Sequence, residues 1–233
     1  MKSIFALIGI CLLVLSVLTG CAATKQVAVK EDPAICAFLG TETCGHLTAG
    51  GKGQAGLRWI NPDARLTQYN KLIIEAIGFF GSDAAQVPRH QQQVLTDYFY
   101  DALTSKLTEI YPIADRPGPE VLRIQVAILD AEAATPGLRT VSIVIPQIKL
   151  IGAAASVLRE GKFPFAGSIQ VAVKLTDSVT GEVLGAAVDR RVGGGSIKAA
   201  AQWEWGDAEN AIDAWAKLSA ERLHAYTSGA KKP

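Results

Sequence analysis

The sequence is poor in the residues and patterns that most enzymes use. It holds only three histidines, His46, His90 and His224. It has no G-x-S-x-G elbow to present a nucleophilic serine. Lys52 is not followed by Ser or Thr, so the phosphate-binding lysine loop is absent too. Charge of one sign is also lacking: 23 Lys and Arg stand against 22 Asp and Glu. No basic stripe is available, which argues against a nucleic-acid partner. The one long apolar run, Ile4 to Leu18, is 15 residues. A membrane-spanning helix needs about 20.

That run carries an address. Lys2 precedes it, and Leu18-Thr19-Gly20-Cys21 ends it. A positive residue, a short apolar core and small residues at a cut site describe a signal peptide. Leucine three before the cysteine and glycine just before it resemble a bacterial lipobox. The expectation is a signal peptide over residues 1–20 and acyl chains (palmitate among them) on Cys21, holding the protein to a membrane. An uncleaved anchor and an ordinary signal peptide cut elsewhere are the rival readings. Ala22, not Asp, follows the cysteine, which favours an outer membrane facing the periplasm. Loss of residues 1–20 removes Lys2 and leaves 22 residues of each charge.

Four cysteines are present, with different fates. Cys11 leaves with the signal peptide and Cys21 is the lipid site. Cys36 and Cys44 remain, and an oxidising compartment favours a disulfide between them. Free thiols are one alternative. A metal site with His46 is another, but Cys-x7-Cys-x-His is not a usual zinc spacing.

Residues 21–35 read as a polar tether and 36–57 as irregular, with one domain over 36–228. Trp59-Ile60-Asn61-Pro62-Asp63 reads as a turn, and Asn70 to Phe80 contains a strand. Pro88 to Ile110 places Val94, Leu95, Tyr98, Phe99, Ala102, Leu103, Leu107 and Ile110 at helical spacing, with Pro88 suited to the first turn and Pro112 as a stop. Val121 to Ala127 alternates with period two, a half-buried strand. Ser168 to Leu175 and Val183 to Val188 form a hairpin, with Gly181 supplying a positive φ. Gly193-Gly194-Gly195 is a break, and Asp207 can N-cap a last helix bearing Ile212, Trp215, Ser219, Leu223 and Tyr226. The predicted fold is α/β (α+β): a small mixed or antiparallel sheet packed by two amphipathic helices.

Several candidates for chemistry deserve weighing against blander roles. Gly51-Lys52-Gly53-Gln54-Ala55-Gly56 fits G-x-G-x-x-G, yet neither a strand before it nor a helix after it is evident, so a flexible loop is favoured and no cofactor is expected. Asp130 and Glu132 share a face at a strand end and form the one carboxylate pair for acid–base work; solvated or paired charges are favoured. Trp203 and Trp205 flank Glu204 and could stack on a sugar; packing of the last helix is favoured. Residues 141–158 are rich in apolar side chains and carry a single charge, Lys149. They are either core or an exposed surface for self-association or a protein partner.

Landmarks in order resemble the DUF3313 family, a bacterial lipoprotein family. They are Phe38-Leu39-Gly40 and Leu47, Asn61-Pro62-Asp63, Tyr69 to Ile74, Pro117-Gly118-Pro119, Leu122-Arg123-Ile124 and Asp130-Ala131. Gly167, Asp177-Ser178, Thr180-Gly181-Glu182, Asp189-Arg190-Arg191, Trp205, Asp207-Ala208 and Asp213 to Ala216 continue the series. The resemblance implies a lipoprotein and transfers no activity or catalytic residue. The resulting expectation is a non-enzymatic, lipid-anchored accessory or assembly component, with a ligand-binding module using Trp203 and Trp205 as the alternative.

Overall fold

Eight strands form one sheet in this computed structural model, which describes residues 24–81, 86–134, 166–194 and 204–231. The strands are β1 (Thr24–Val27), β2 (Thr48–Ala49), β3 (Leu57–Ile60), β4 (Lys71–Ile74), β5 (Gly78–Phe79), β6 (Val121–Glu132), β7 (Ser168–Asp177) and β8 (Val183–Gly193). The order across the sheet is β2-β3-β8-β7-β6-β4. β1 extends the β3 side by pairing with the end of β8, and β5 extends the β4 side by pairing with the end of β6. β4 and β5 run parallel to β6; the other pairings are antiparallel. Four helices cover it: α1 (Pro33–Leu39), α2 (Thr41–Gly45), α3 (Arg89–Thr108) and α4 (Gly206–Thr227). This is a mixed α/β single domain with a mostly antiparallel sheet.

Alternation along the long strands sets the two faces. Leu122, Ile124, Val126 and Ile128 of β6 meet Phe99, Leu103 and Leu107 of α3 and Ile212, Trp215 and Leu223 of α4 in the main core. The predicted helical stripes therefore pack as expected, although Val94 and Ile110 at the margins are exposed. The Phe99 and Trp215 rings stack at 6.1 Å, and removing either ring would cost about 3–5 kcal/mol. β6 is not simply half-buried: Ala127 and Leu129 on the opposite face are covered by Ile35 and Leu39 of α1.

The N-terminal part differs most from expectation. Thr24–Val27, read as tether, is a strand of the sheet, in register from Thr24↔Gly193 to Val27↔Arg190. Its polar side chains do not oppose this, because backbone pairing supplies the hydrogen bonds. Residue 30 is then clamped by a side chain. Gln170, fully buried, accepts from the Lys30 N–H at 2.7 Å and donates to its carbonyl at 2.9 Å. α1 begins within the stretch read as tether and runs into the one read as irregular, which also holds α2. Asp32 caps Ala34 N at 2.8 Å and Pro33 opens α1. Gly40, at φ 89°, makes the corner between the two short helices.

Other boundaries shifted for identifiable reasons. Pro88 is the N-cap of α3, its carbonyl accepting from Gln91 and Gln92. The Asn70–Phe80 strand is two short strands, both on β6. Leu57–Ile60 is strand, and only Asn61-Pro62-Asp63 turns, with Asn61 Oδ1 accepting from Asp63 N at 2.9 Å. Gly181 has φ 74° in the β7–β8 hairpin, as its sequence context suggests. Asp207 does not cap α4; Trp205 occupies that position, and the Asp207 carboxylate reaches Gly167 N at 2.8 Å. Cys21, Trp203 and residues 141–158 lie outside the described residues.

Candidate functional site

A cavity of about 180 Å³ lies between the sheet and helices α3 and α4. Its deep wall is aliphatic and aromatic: Leu103 and Leu107 of α3, Val126 of β6, Val173 of β7 and Trp215 of α4 all line it. The space follows from residue size. β8 places Gly185 and Ala187 on the face beneath α4, beside Leu175 and Val173 of β7. Large side chains at these two positions would fill the gap. A glycine inside a strand weakens it unless a close approach or a vacant volume is needed there.

The rim is polar. Arg58 of β3, Arg222 and Tyr226 of α4, Lys231 and Gln54 stand there. Arg58 donates to the Tyr226 hydroxyl at 3.2 Å, and Lys231 lies 5.3 Å from the centre of the Tyr226 ring. Arg222 donates to the Gly53 carbonyl. Burial pushes the Arg222 guanidinium below its ordinary value, while the Asp189 carboxylate pulls it up. No carboxylate lies within ion-pair distance of Arg58, Arg222 or Lys231 among the described residues.

Asp189 organises this rim. Its carboxylate accepts from Trp215 Nε1 at 2.7 Å, from Gly56 N at 2.9 Å and from Gln26 Nε2, and it pairs with Arg191 Nε at 3.4 Å. One buried side chain thus ties β1, β8, α4 and the 50–56 loop together. Gln26 also donates to the Gln54 carbonyl at 2.7 Å. The G-x-G-x-x-G segment is the turn between β2 and β3, closed by Gly50 N to Gly56 O at 3.1 Å. It opens no helix, and its backbone forms part of the cavity rim.

Apart from the two cysteines, the residues singled out in the sequence are not gathered into one site among the described residues. Cys36 and Cys44 are bonded, with Cα atoms 5.2 Å apart, and staple α1 to α2. His46 stacks on Trp59 at 5.1 Å, while His90 and His224 are exposed. Among the described residues, no group of three His, Cys, Asp or Glu side chains is placed to hold a metal ion. Asp130 lies 3.6 Å from Lys30 Nζ, and Glu132 lies 3.8 Å from an Arg190 nitrogen. Each carboxylate thus has its own cation. Trp205 is 3% exposed and belongs to the main core, so its ring is packed and not presented. No helix among the described residues is long and apolar enough to cross a membrane.

The cavity residues were missed because they come from strands β3, β6, β7 and β8 and from both long helices, α3 and α4. The one local signal was Gly185-Ala186-Ala187, three small residues in succession within β8.

Comparison with known proteins yields little about task. The model of DUF3313, described as a protein of unknown function, matches residues 45–219. No curated protein sequence matches the chain. Among solved structures, two of the PelC dodecamer from Paraburkholderia phytofirmans are similar. One, a point variant, is 12% identical over 70% of this chain and 96% of that chain, with a TM-score of 0.39. The second is 13% identical with the same coverage and a TM-score of 0.37. Likeness at that level carries no argument about task.

Proposed function

The chain belongs to DUF3313, a family of proteins of unknown function, and from that premise we propose a non-enzymatic, lipid-anchored envelope protein that binds a small apolar or amphipathic molecule. Anchoring would be through acylated Cys21, in an outer membrane facing the periplasm. The cavity between the sheet and helices α3 and α4 carries the binding part of this reading. At about 180 Å³, it exceeds the roughly 150 Å³ that suffices for benzene in an engineered apolar cavity of another protein. The lipobox of Leu18 to Cys21 carries the anchoring part.

Each part has its own test. Intact mass of the protein from membranes should show acyl chains on Cys21, and Cys21→Ser should release the protein to the soluble fraction. For the cavity, the mature chain with Cys21→Ser keeps every described residue. Benzene titrated into it should shift the Trp215 environment by NMR. Ala187→Leu, which fills the space from β8, should abolish that shift. A protein indifferent to benzene, or an Ala187→Leu variant that binds it equally, would rule out the cavity as the site.

A further inference from the structure

Resting on the cavity reading, we infer that the ligand is a single-chain amphiphile with an anionic head, its chain lying across β8 and β7 and its head among Arg58, Arg222 and Lys231. The register of the sheet supplies the polarity. Arg58 pairs with Ala187, Ala187 with Val173, and Val173 with Val126. All four line the cavity. That row crosses three strand spacings, about 14 Å, from a guanidinium at the rim to aliphatic side chains at depth. Along that row the lining passes from polar to aliphatic, the order in which an amphiphile presents its head and its chain.

The charge at the rim selects the head. Arg58 and Arg222 donate to a phenol and a backbone carbonyl, both neutral acceptors. Lys231 lies over the Tyr226 ring. The one carboxylate among the lining residues, Asp189, is already met by Trp215, Gly56, Gln26 and Arg191. Three cations therefore line the cavity with no carboxylate of the described residues in ion-pair contact with them, Asp189 acting on Arg222 only from further off. A carboxylate or phosphate head would gain charge-assisted hydrogen bonds there. Its chain would gain the burial of each methylene.

Calorimetric titration of the mature Cys21→Ser chain separates head from chain. Octanoate, octyl phosphate, octanol and octylamine share one chain; hexanoate and decanoate vary it. The expected result is that both anions bind about tenfold or more tighter than octanol or octylamine. Affinity should rise about fourfold per added methylene until the cavity is full. Arg58→Gln and Arg222→Gln should each erase most of the head preference, and Arg58→Lys should restore part of it. Octanol binding as well as octanoate would overturn the anionic head while leaving the cavity reading intact. Retention of the preference in both Arg→Gln variants would overturn the assigned head position. Failure of every compound to bind would overturn both.

Discussion

Replacing Gly193 by alanine tests the junction where β7, β8 and α4 meet. A Cβ on Gly193 would sit 2.2 Å from Cγ and Oδ2 of Asp207 and 2.3 Å from Oδ1. Ordinary contact needs more than an ångström beyond that, so the carboxylate must leave. Asp207 is 2% exposed, and its Oδ2 accepts from Gly167 N at 2.8 Å. Gly193 N in turn donates to the Gly167 carbonyl at 2.9 Å. Overpacking costs about 1–3 kcal/mol, and losing a hydrogen bond to a charged group about 1.5–3 kcal/mol. Gly193→Ala should therefore destabilise by about 3–5 kcal/mol. Asp207→Ala removes the acceptor of Gly167 N without adding a clash, at about 2–3 kcal/mol. In the double variant the new methyl has room, so its cost should be close to that of Asp207→Ala alone. Urea unfolding of all four proteins, followed by circular dichroism with constant m-values, reads the coupling directly. Additivity within about 0.5 kcal/mol would show that the methyl and the carboxylate do not compete, and the reasoning would fail.

Two further outcomes follow from the polar and covalent contacts. Tyr69 donates to Asp177 Oδ2 at 2.8 Å; burial and that bond push its pKa to about 12 from 10.0. Its contribution to stability is thus complete below pH 10 and lost as pH rises through about 12. Burial raises the Asp177 carboxyl, but donors from Thr180, Tyr69 and Val179 outweigh it and hold the group below 3.8. That contribution is present above the unfolded value and lost as pH falls through the folded one. Tyr69→Phe should remove a late phenolate component from an absorbance titration and cost about 1–2 kcal/mol at neutral pH; an unchanged alkaline titration would contradict the contact. Replacing Cys36 and Cys44 together by serine opens a loop with a sequence separation of 8. Chain entropy puts the loss at about 2–3 kcal/mol, readable as a lower urea midpoint, and an unmoved midpoint would mean the α1–α2 corner holds without the staple.

Elements whose pattern is local and long were legible in the sequence. The stripe from Leu95 to Leu107 and that from Ile212 to Leu223 announce α3 and α4, and the Thr180-Gly181 turn announces the β7–β8 hairpin. The N-terminal elements were not legible. α1 and α2 are too short to display a period, and they are held by a disulfide and by packing on Ala127 and Ala172. β1 is polar because its partner is the backbone of β8. Asp207 misled because the chemistry of an N-cap and of a tertiary acceptor is the same, and a donor 40 residues away won. The cavity escaped notice because register places Arg58, Ala187, Val173 and Val126 in one row, and no short window of sequence encodes register.

β1 also sets how the domain must stand if Cys21 is acylated. Thr24 is only three residues beyond Cys21, a leash of at most about 11 Å. Thr24 pairs with Gly193, so the end of the sheet bearing Gly193 would be held near the lipid headgroups. β8 climbs from there back to Val183, ten residues away, about 33 Å at strand rise. The hairpin tip, where Val179 is exposed, lies beyond the opposite end of β8. Ala187, on the row that opens the cavity, would sit about 20 Å along the same strand. Acylation would thus limit how far the domain can reach from the bilayer, because one end of its sheet would stay within the leash of the lipid surface.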